Sequence, residues 1–250
     1  MTDTFVLTVN PVGDTPSVTN ASTTVNTQST SGLVITKNAV DGAEITYFKI
    51  TNITNGTLFK NDGATQINDG DFITAAEGGA GLKFTPALNS SAPGSFDVQA
   101  APGNDGSGLS SAATATITIN CGPTVVTTNA DSGAGSLRDV ILHACSGAAI
   151  TFAGGLASPI TLTSGELLIN KSLTITGPGA NLLTISGNNT SRIFNITTGT
   201  TVSITDLTLT KGVVSSLGGI NQGGAIFNAG TLTLTRDTIS NSVTQGSFRR

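Results

Sequence analysis

The stretch GGAIFNAGTLTLTRDTISNS, Gly223 to Ser242, alternates apolar and hydroxyl residues in short runs parted by Gly, Asn and Asp. AIFN (Ala225–Asn228), LTLT (Leu232–Thr235) and TIS (Thr238–Ser240) each suit one short strand, because successive side chains in a strand point to opposite faces.

The same pattern runs back through the chain in groups of three. AITF (Ala149–Phe152), ITLT (Ile160–Thr163) and LLIN (Leu167–Asn170) form the first group, and LTIT (Leu173–Thr176), LTIS (Leu183–Ser186) and IFNI (Ile193–Ile196) the second. VSIT (Val202–Thr205), LTLT (Leu207–Thr210) and AIFN form the third, and Leu232 opens a fourth. The group starts Leu173, Val202 and Leu232 lie 29 and 30 residues apart. Three short strands per period of that length predict a solenoid whose coils stack through parallel pairing, apolar residues inward and Thr or Ser outward. Asn170, Asn195 and Asn228 fall at like places in their coils and predict an amide ladder. The insert GVVSSLGGINQ (Gly212–Gln222) is expected to leave the stack.

Ahead of these strands, SLRDVILHAC predicts the chain's one helix. Ser136 caps it, Asp139 reaches back to the cap's own N–H, and Leu137, Val140, Ile141, Ala144 and Cys145 form its apolar stripe. Such a helix can cover the open end of the apolar strands.

The first 120 residues read differently. LVIT (Leu33–Thr36), EITYFKI (Glu44–Ile50), GTLFK (Gly56–Lys60), FIT (Phe72–Thr74), LKFT (Leu82–Thr85) and SFDVQA (Ser95–Ala100) are short strands separated by Asn/Asp-Gly turns, the pattern of a two-sheet sandwich. TFVLTVNPVGDTP (Thr4–Pro16) and TATITIN (Thr114–Asn120) are each an alternating strand followed by a Pro/Gly junction. Residues 1–10 are therefore expected to be the last strand of a preceding repeat, 11–120 a sandwich, 121–148 a junction with the capping helix, and 149–250 the solenoid, truncated at its end.

Composition narrows the function classes. Only 10% of the 250 residues are charged, the net charge is -4, and no basic cluster offers a nucleic-acid footprint. No apolar run reaches the roughly 20 residues of a membrane helix. There is no Trp, and the single Tyr leaves little for the aromatic platforms on which sugars stack.

NPVGDTP, GTLFKNDGATQINDGDFI and LKFTPALNSSAPGSFDVQA resemble bacterial cadherin-like or immunoglobulin-like surface repeats. DSGAGSLRDVILHAC, ITLTSGELLINKSLTITGPGA, LLTISGNNTSRIFNI and GGAIFNAGTLTLTRDTIS resemble bacterial surface proteins with a right-handed parallel β-helix of the pectin-lyase-like architecture, including adhesin and autotransporter passenger repeats. The resemblance implies an all-β chain: a β-sandwich followed by a right-handed parallel β-helix with a short N-terminal capping helix. It also implies an extracellular or cell-surface location, with neighbouring repeats of the same long chain and a cell-surface glycan or protein as partners. In that setting Cys121 and Cys145 are expected to pair, the alternative being a free Cys121 and a buried Cys145.

The first resemblance further implies calcium between tandem domains, for which Asp14 at the junction is the candidate ligand; the tract NDGATQINDGD reads as two turns around a short strand instead. No catalytic residue is assigned. The second resemblance admits polysaccharide lyases and glycosidases, which makes such an enzyme the alternative function. Asp206 and Asp237 are the one candidate carboxylate pair, Asp206 facing Arg236 as an exposed ion pair, and the sole histidine, His143, reads as solvated. The expected function is structural and adhesive: a spacer domain and a stiff display surface.

Overall fold

The structure is a computed structural model that describes residues 11–215 and 222–245. The strand expected at Thr4–Asn10 and most of the Gly212–Gln222 insert lie outside them. Strands dominate, and the described helices are two short segments, Ala75–Gly79 and Leu137–His143. The chain divides between Asn120 and Cys121 into two compact units.

In the first unit, Ala113–Asn120, Gly94–Ala101, Tyr47–Thr54 and Phe72–Thr74 pair antiparallel in that order, and Ala21–Thr24 joins Ala113–Asn120 in parallel. A second antiparallel sheet holds Gln66–Ile67, Gly56–Phe59 and Lys83–Pro86. Alternation sorts the faces: Phe96, Val98 and Ala100 are buried together with Ala115, Ile117 and Ile119. Leu33 adopts a φ of 53°, so that only Ile35–Thr36 of the expected LVIT strand pairs, with Ser17–Val18. The helix Ala75–Gly79 was not anticipated, although its signal is present as Thr-x-x-Glu. The Thr74 hydroxyl accepts the Glu77 N–H at 3.2 Å while the Glu77 carboxylate accepts the Thr74 N–H at 2.7 Å, a complete capping box.

The second unit is built from parallel sheets, and each period of the sequence lends one strand to each of three. Val125–Val126, Ala148–Phe152, Leu173–Thr176, Thr201–Thr205 and Thr231–Thr235 form the first sheet. Ile160–Thr161, Thr184–Ser186, Thr208–Thr210 and Thr238–Ser240 form the second, and Leu167–Ile169, Phe194–Ile196 and Ile226–Asn228 the third. The first sheet thus begins ahead of the helix, at Val125, rather than at Ala149. Ile150, Ile175 and Ile204 stack in one row with no exposure. Leu234 continues that row at 40% exposure, because no described strand pairs beyond it.

The helix Leu137–His143 contributes Leu137, Val140 and Ile141 to the same apolar core as these rows, with Ala144 just after it. Its cap is half of the expected box. The Ser136 hydroxyl accepts the Asp139 N–H at 3.2 Å, but the Asp139 carboxylate takes the N–H of Gly135 at 2.9 Å, since Ser136 donates its own to Gly133 O.

Two expectations about the coils need correction. Val213–Ser215, assigned to the insert, is a strand paired in parallel with Val243–Gln245. Gly224 permits the close approach there, since a Cβ would lie 2.6 Å from the Val243 carbonyl oxygen. The amide ladder does not form. The buried residues of LLI and FNI set the register, which places Asn195 opposite Leu168 and Phe227 and places Asn228 opposite Ile196.

Removing side-chain volume from a stacked row leaves a cavity between neighbours that are already paired. Ile204→Ala should lower the unfolding free energy by about 2–5 kcal/mol, whereas Thr184→Ala, at a half-buried outward position, should change it by about 0.5 kcal/mol or less. Urea unfolding of the two variants beside the parent chain measures both.

Candidate functional site

The densest polar constellation of the second unit links the helix to the third sheet. Asp131 and Arg138 flank the helix start, and Glu166 and Arg192 precede consecutive strands of that sheet. Arg138 is consumed by protein acceptors. Its Nη2 donates to Asp131 Oδ1 and Gly165 O, both at 2.7 Å, and its Nη1 donates to Glu166 O at 2.8 Å. Asp131 Oδ2 also accepts the Ser164 N–H at 2.8 Å and the Ser164 hydroxyl. One residue thereby binds the loop before the helix to the turn before a strand of the next coil.

Glu166 repeats the arrangement one period on. Its two oxygens accept from Arg192 Nε and Asn195 Nδ2, each at 2.6 Å. The Arg192 guanidinium lies 5.3 Å from the Phe227 ring centroid, so that the planar cation covers an aromatic side chain of the following strand. Beside Arg138 and Glu166 a groove of about 290 Å³ is lined by Ile141, Leu142, Leu168 and Asn170. None of these contacts was read from the sequence. The signal that would have found them is the period itself, since Glu166 and Asn195 stand 29 residues apart.

Burial works to raise the Asp131 pKa, but the Ser164 hydroxyl and the Arg138 guanidinium outweigh it and hold the carboxyl down at about 2. Lys171 is buried too, at 4% exposure, and burial pulls its pKa below the usual lysine range. Its Nζ donates to the carbonyls of Leu142 and Ala144 at 2.8 and 3.0 Å, at the end of the helix.

Cys121 and Cys145 are joined in a disulfide that closes a sequence separation of 24 residues around the helix. Next to it the Gly122 N–H donates to His143 O at 2.8 Å, and a Cβ on Gly122 would meet His143 Cβ at 2.5 Å. His143 is not simply solvated, as its Nδ1 lies 3.0 Å from Asp139 Oδ1.

Asp206 and Asp237 take different partners. Asp206 holds Arg236 through two contacts of 2.7 and 2.6 Å, which keep its carboxyl below the usual range, while Asp237 accepts the N–H groups of Leu207 and Thr235. Asp206 and Arg236 share left-handed φ values of 61° and 57°, so the ion pair bridges the same corner of consecutive coils.

In the first unit Asp14 is exposed and donates its N–H to Asp41 Oδ1 at 3.0 Å; Asp41 Oδ2 is buried without a hydrogen bond. Two carboxylates fall short of the six to eight oxygens calcium takes, and no group of three or more His, Cys, Asp or Glu suited to a metal gathers among the described residues. In the NDGATQINDGD tract Asp62 accepts the N–H groups of Ala64 and Thr65, and Asp71 that of Asn68, so these two carboxylates close turns.

No family model, curated protein or solved structure matches the chain. No helix among the described residues is long and apolar enough to cross a membrane.

A folded pKa of about 2 for Asp131 lies below the ~3.9 of an unfolded Asp, so its contribution to stability is complete above about pH 4 and is lost as pH falls toward 2. Asp131→Asn should therefore lose less stability than the parent chain between about pH 5 and 2, as read by urea unfolding at each pH. Separately, Cys121→Ser with Cys145→Ser should cost about 3 kcal/mol of unfolding free energy in the loop-entropy view, and reducing agent should lower the parent to the same level.

Proposed function

We propose that the chain is a non-catalytic structural and adhesive segment of a secreted or cell-surface protein. Its first unit is read as a cadherin- or immunoglobulin-like sandwich serving as a spacer. Its second is read as a right-handed parallel β-helix, with the helix Leu137–His143 as its cap, serving as a stiff stalk and display surface. The observation that carries this reading is the use made of the carboxylates of the second unit. Asp131, Asp139, Glu166, Asp206 and Asp237 each accept hydrogen bonds from protein N–H, guanidinium or hydroxyl groups. Glycoside hydrolysis asks for two carboxyl groups left to face one bond, one of them able to hold a proton. The carboxylates tied to Arg138 and Arg236 are favoured in their ionised form, and the ion pair of Glu166 with Arg192 is a further tie between strands of successive periods.

The test is release of reducing ends and unsaturated products from plant, algal and bacterial polysaccharides by the folded chain with calcium present. No turnover is expected. Turnover abolished by Asp206→Asn or Asp237→Asn would overturn the reading and make the segment a polysaccharide-active enzyme.

A further inference from the structure

The outward face of the first parallel sheet carries an ordered, uncharged array. Strands Leu173–Thr176, Thr201–Thr205 and Thr231–Thr235 read LTIT, TVSIT and TLTLT and contain no charged residue. Their register is continuous, so the outward positions align as rows, of which Thr174–Ser203–Thr233 and Thr176–Thr205–Thr235 span all three strands and Thr201 beside Thr231 spans two. Neighbouring strands lie about 4.8 Å apart and residues two apart on one strand about 6.6 Å apart, which makes the rows a small rectangular lattice of hydroxyls.

Strand propensity accounts for Thr on any outward position, and the second sheet has such residues too. The two sheets differ in what their hydroxyls do. On the second sheet Thr208 Oγ1 donates to Ala180 O at 2.6 Å, Ser240 Oγ donates to Thr210 Oγ1 at 3.1 Å, and Ser186 Oγ accepts the Asn188 N–H at 3.2 Å. On the first sheet none of the six hydroxyls bonds to a protein group among the described residues. They are thus free to bond to whatever meets this face, and water bound to such a lattice would take its repeat. Five of the six residues are Thr, whose branched side chain has few rotamers to lose on binding.

We infer that this face binds the surface of ice. The oxygen layers of hexagonal ice repeat along one axis at nearly the interstrand distance and along another at close to two strand residues. An ice surface is also neutral, and the six outward residues carry no charge, the Asp206–Arg236 ion pair standing at the corner beyond Thr205 and Thr235. The inference deepens the display-surface reading by giving that surface a ligand, and it rests on that reading.

The experiment is ice-affinity partitioning of the purified 250-residue chain, with a globular protein of similar size as reference. The chain should enter slowly grown ice while the reference stays in the liquid. Ser203→Tyr and Thr205→Tyr, which raise a ring in the middle of the lattice, should lower the fraction in ice about tenfold, the scale of one good contact. Ser203→Thr should retain it, and so should Thr184→Tyr on the second sheet. Thr233→Tyr, on an exposed strand, serves if the central variants lose the parent's melting transition. Exclusion of the parent chain from ice, or parent-like partitioning of the folded Tyr variants, would overturn the inference. Binding to cellulose or chitin crystals without entry into ice would overturn it too, and would leave the display-surface reading standing. Polysaccharide turnover tests that broader reading separately.

Discussion

Parallel pairing at a fixed sequence period is the constraint on which the second unit depends. Once Leu173 pairs with Val202, and Val202 with Leu232, the side-chain period of two sends Ile175, Ile204 and Leu234 to one face and the intervening Thr and Ser to the other. A slip of one residue would turn every apolar side chain outward. The core therefore holds the register, and the register in turn decides which polar groups meet between coils. Ile204 and Leu209 stay inside for this reason, while the equivalent residues of the last described strands, Leu234 and Ile239, are partly uncovered.

Side-chain polar groups then handle what stacking leaves open. Sheets satisfy their backbone groups between strands, but the corners and the helix ends do not. Arg138 takes carbonyls at two successive turn residues, Lys171 takes two at the helix end, and Asp237 takes two N–H groups at a corner. Where such a group is buried, as the Ala144 carbonyl is, leaving it unpaired would cost about 1–3 kcal/mol, so a charged side chain that reaches it stabilises the fold even without an ionic partner. Lys171 illustrates this, for its Nζ donates to two carbonyls and burial alone lowers its pKa.

The unevenness of what could be read in advance follows from range. Strands with strong alternation, such as LTIT and TATITI, were legible because period-two patterning is local. Ser17–Val18, Val125–Val126 and Val213–Ser215 were not, since two or three residues carry too little pattern and become strands only where a partner edge is offered. The Asn ladder failed for a related reason. Like position in a motif was taken as like position in the stack, but buried Phe194 and Ile196 decide the alignment and leave Asn195 facing Glu166.

Composition and periodicity by themselves determined that this is a strand-dominated chain with a change of pattern near residue 120, because alternation, turn residues and the 29- and 30-residue spacing are all contained in short windows or in their repetition. The helix Leu137–His143 was equally local, carried by Ser136 and an apolar stripe. Only the tertiary structure decided which side chains meet. The Asp131–Arg138–Gly165 knot, the Glu166–Arg192–Asn195 tie and the sparing of the first-sheet hydroxyls all depend on register between strands some 25–30 residues apart. No local preference encodes that register; the burial of facing apolar rows does.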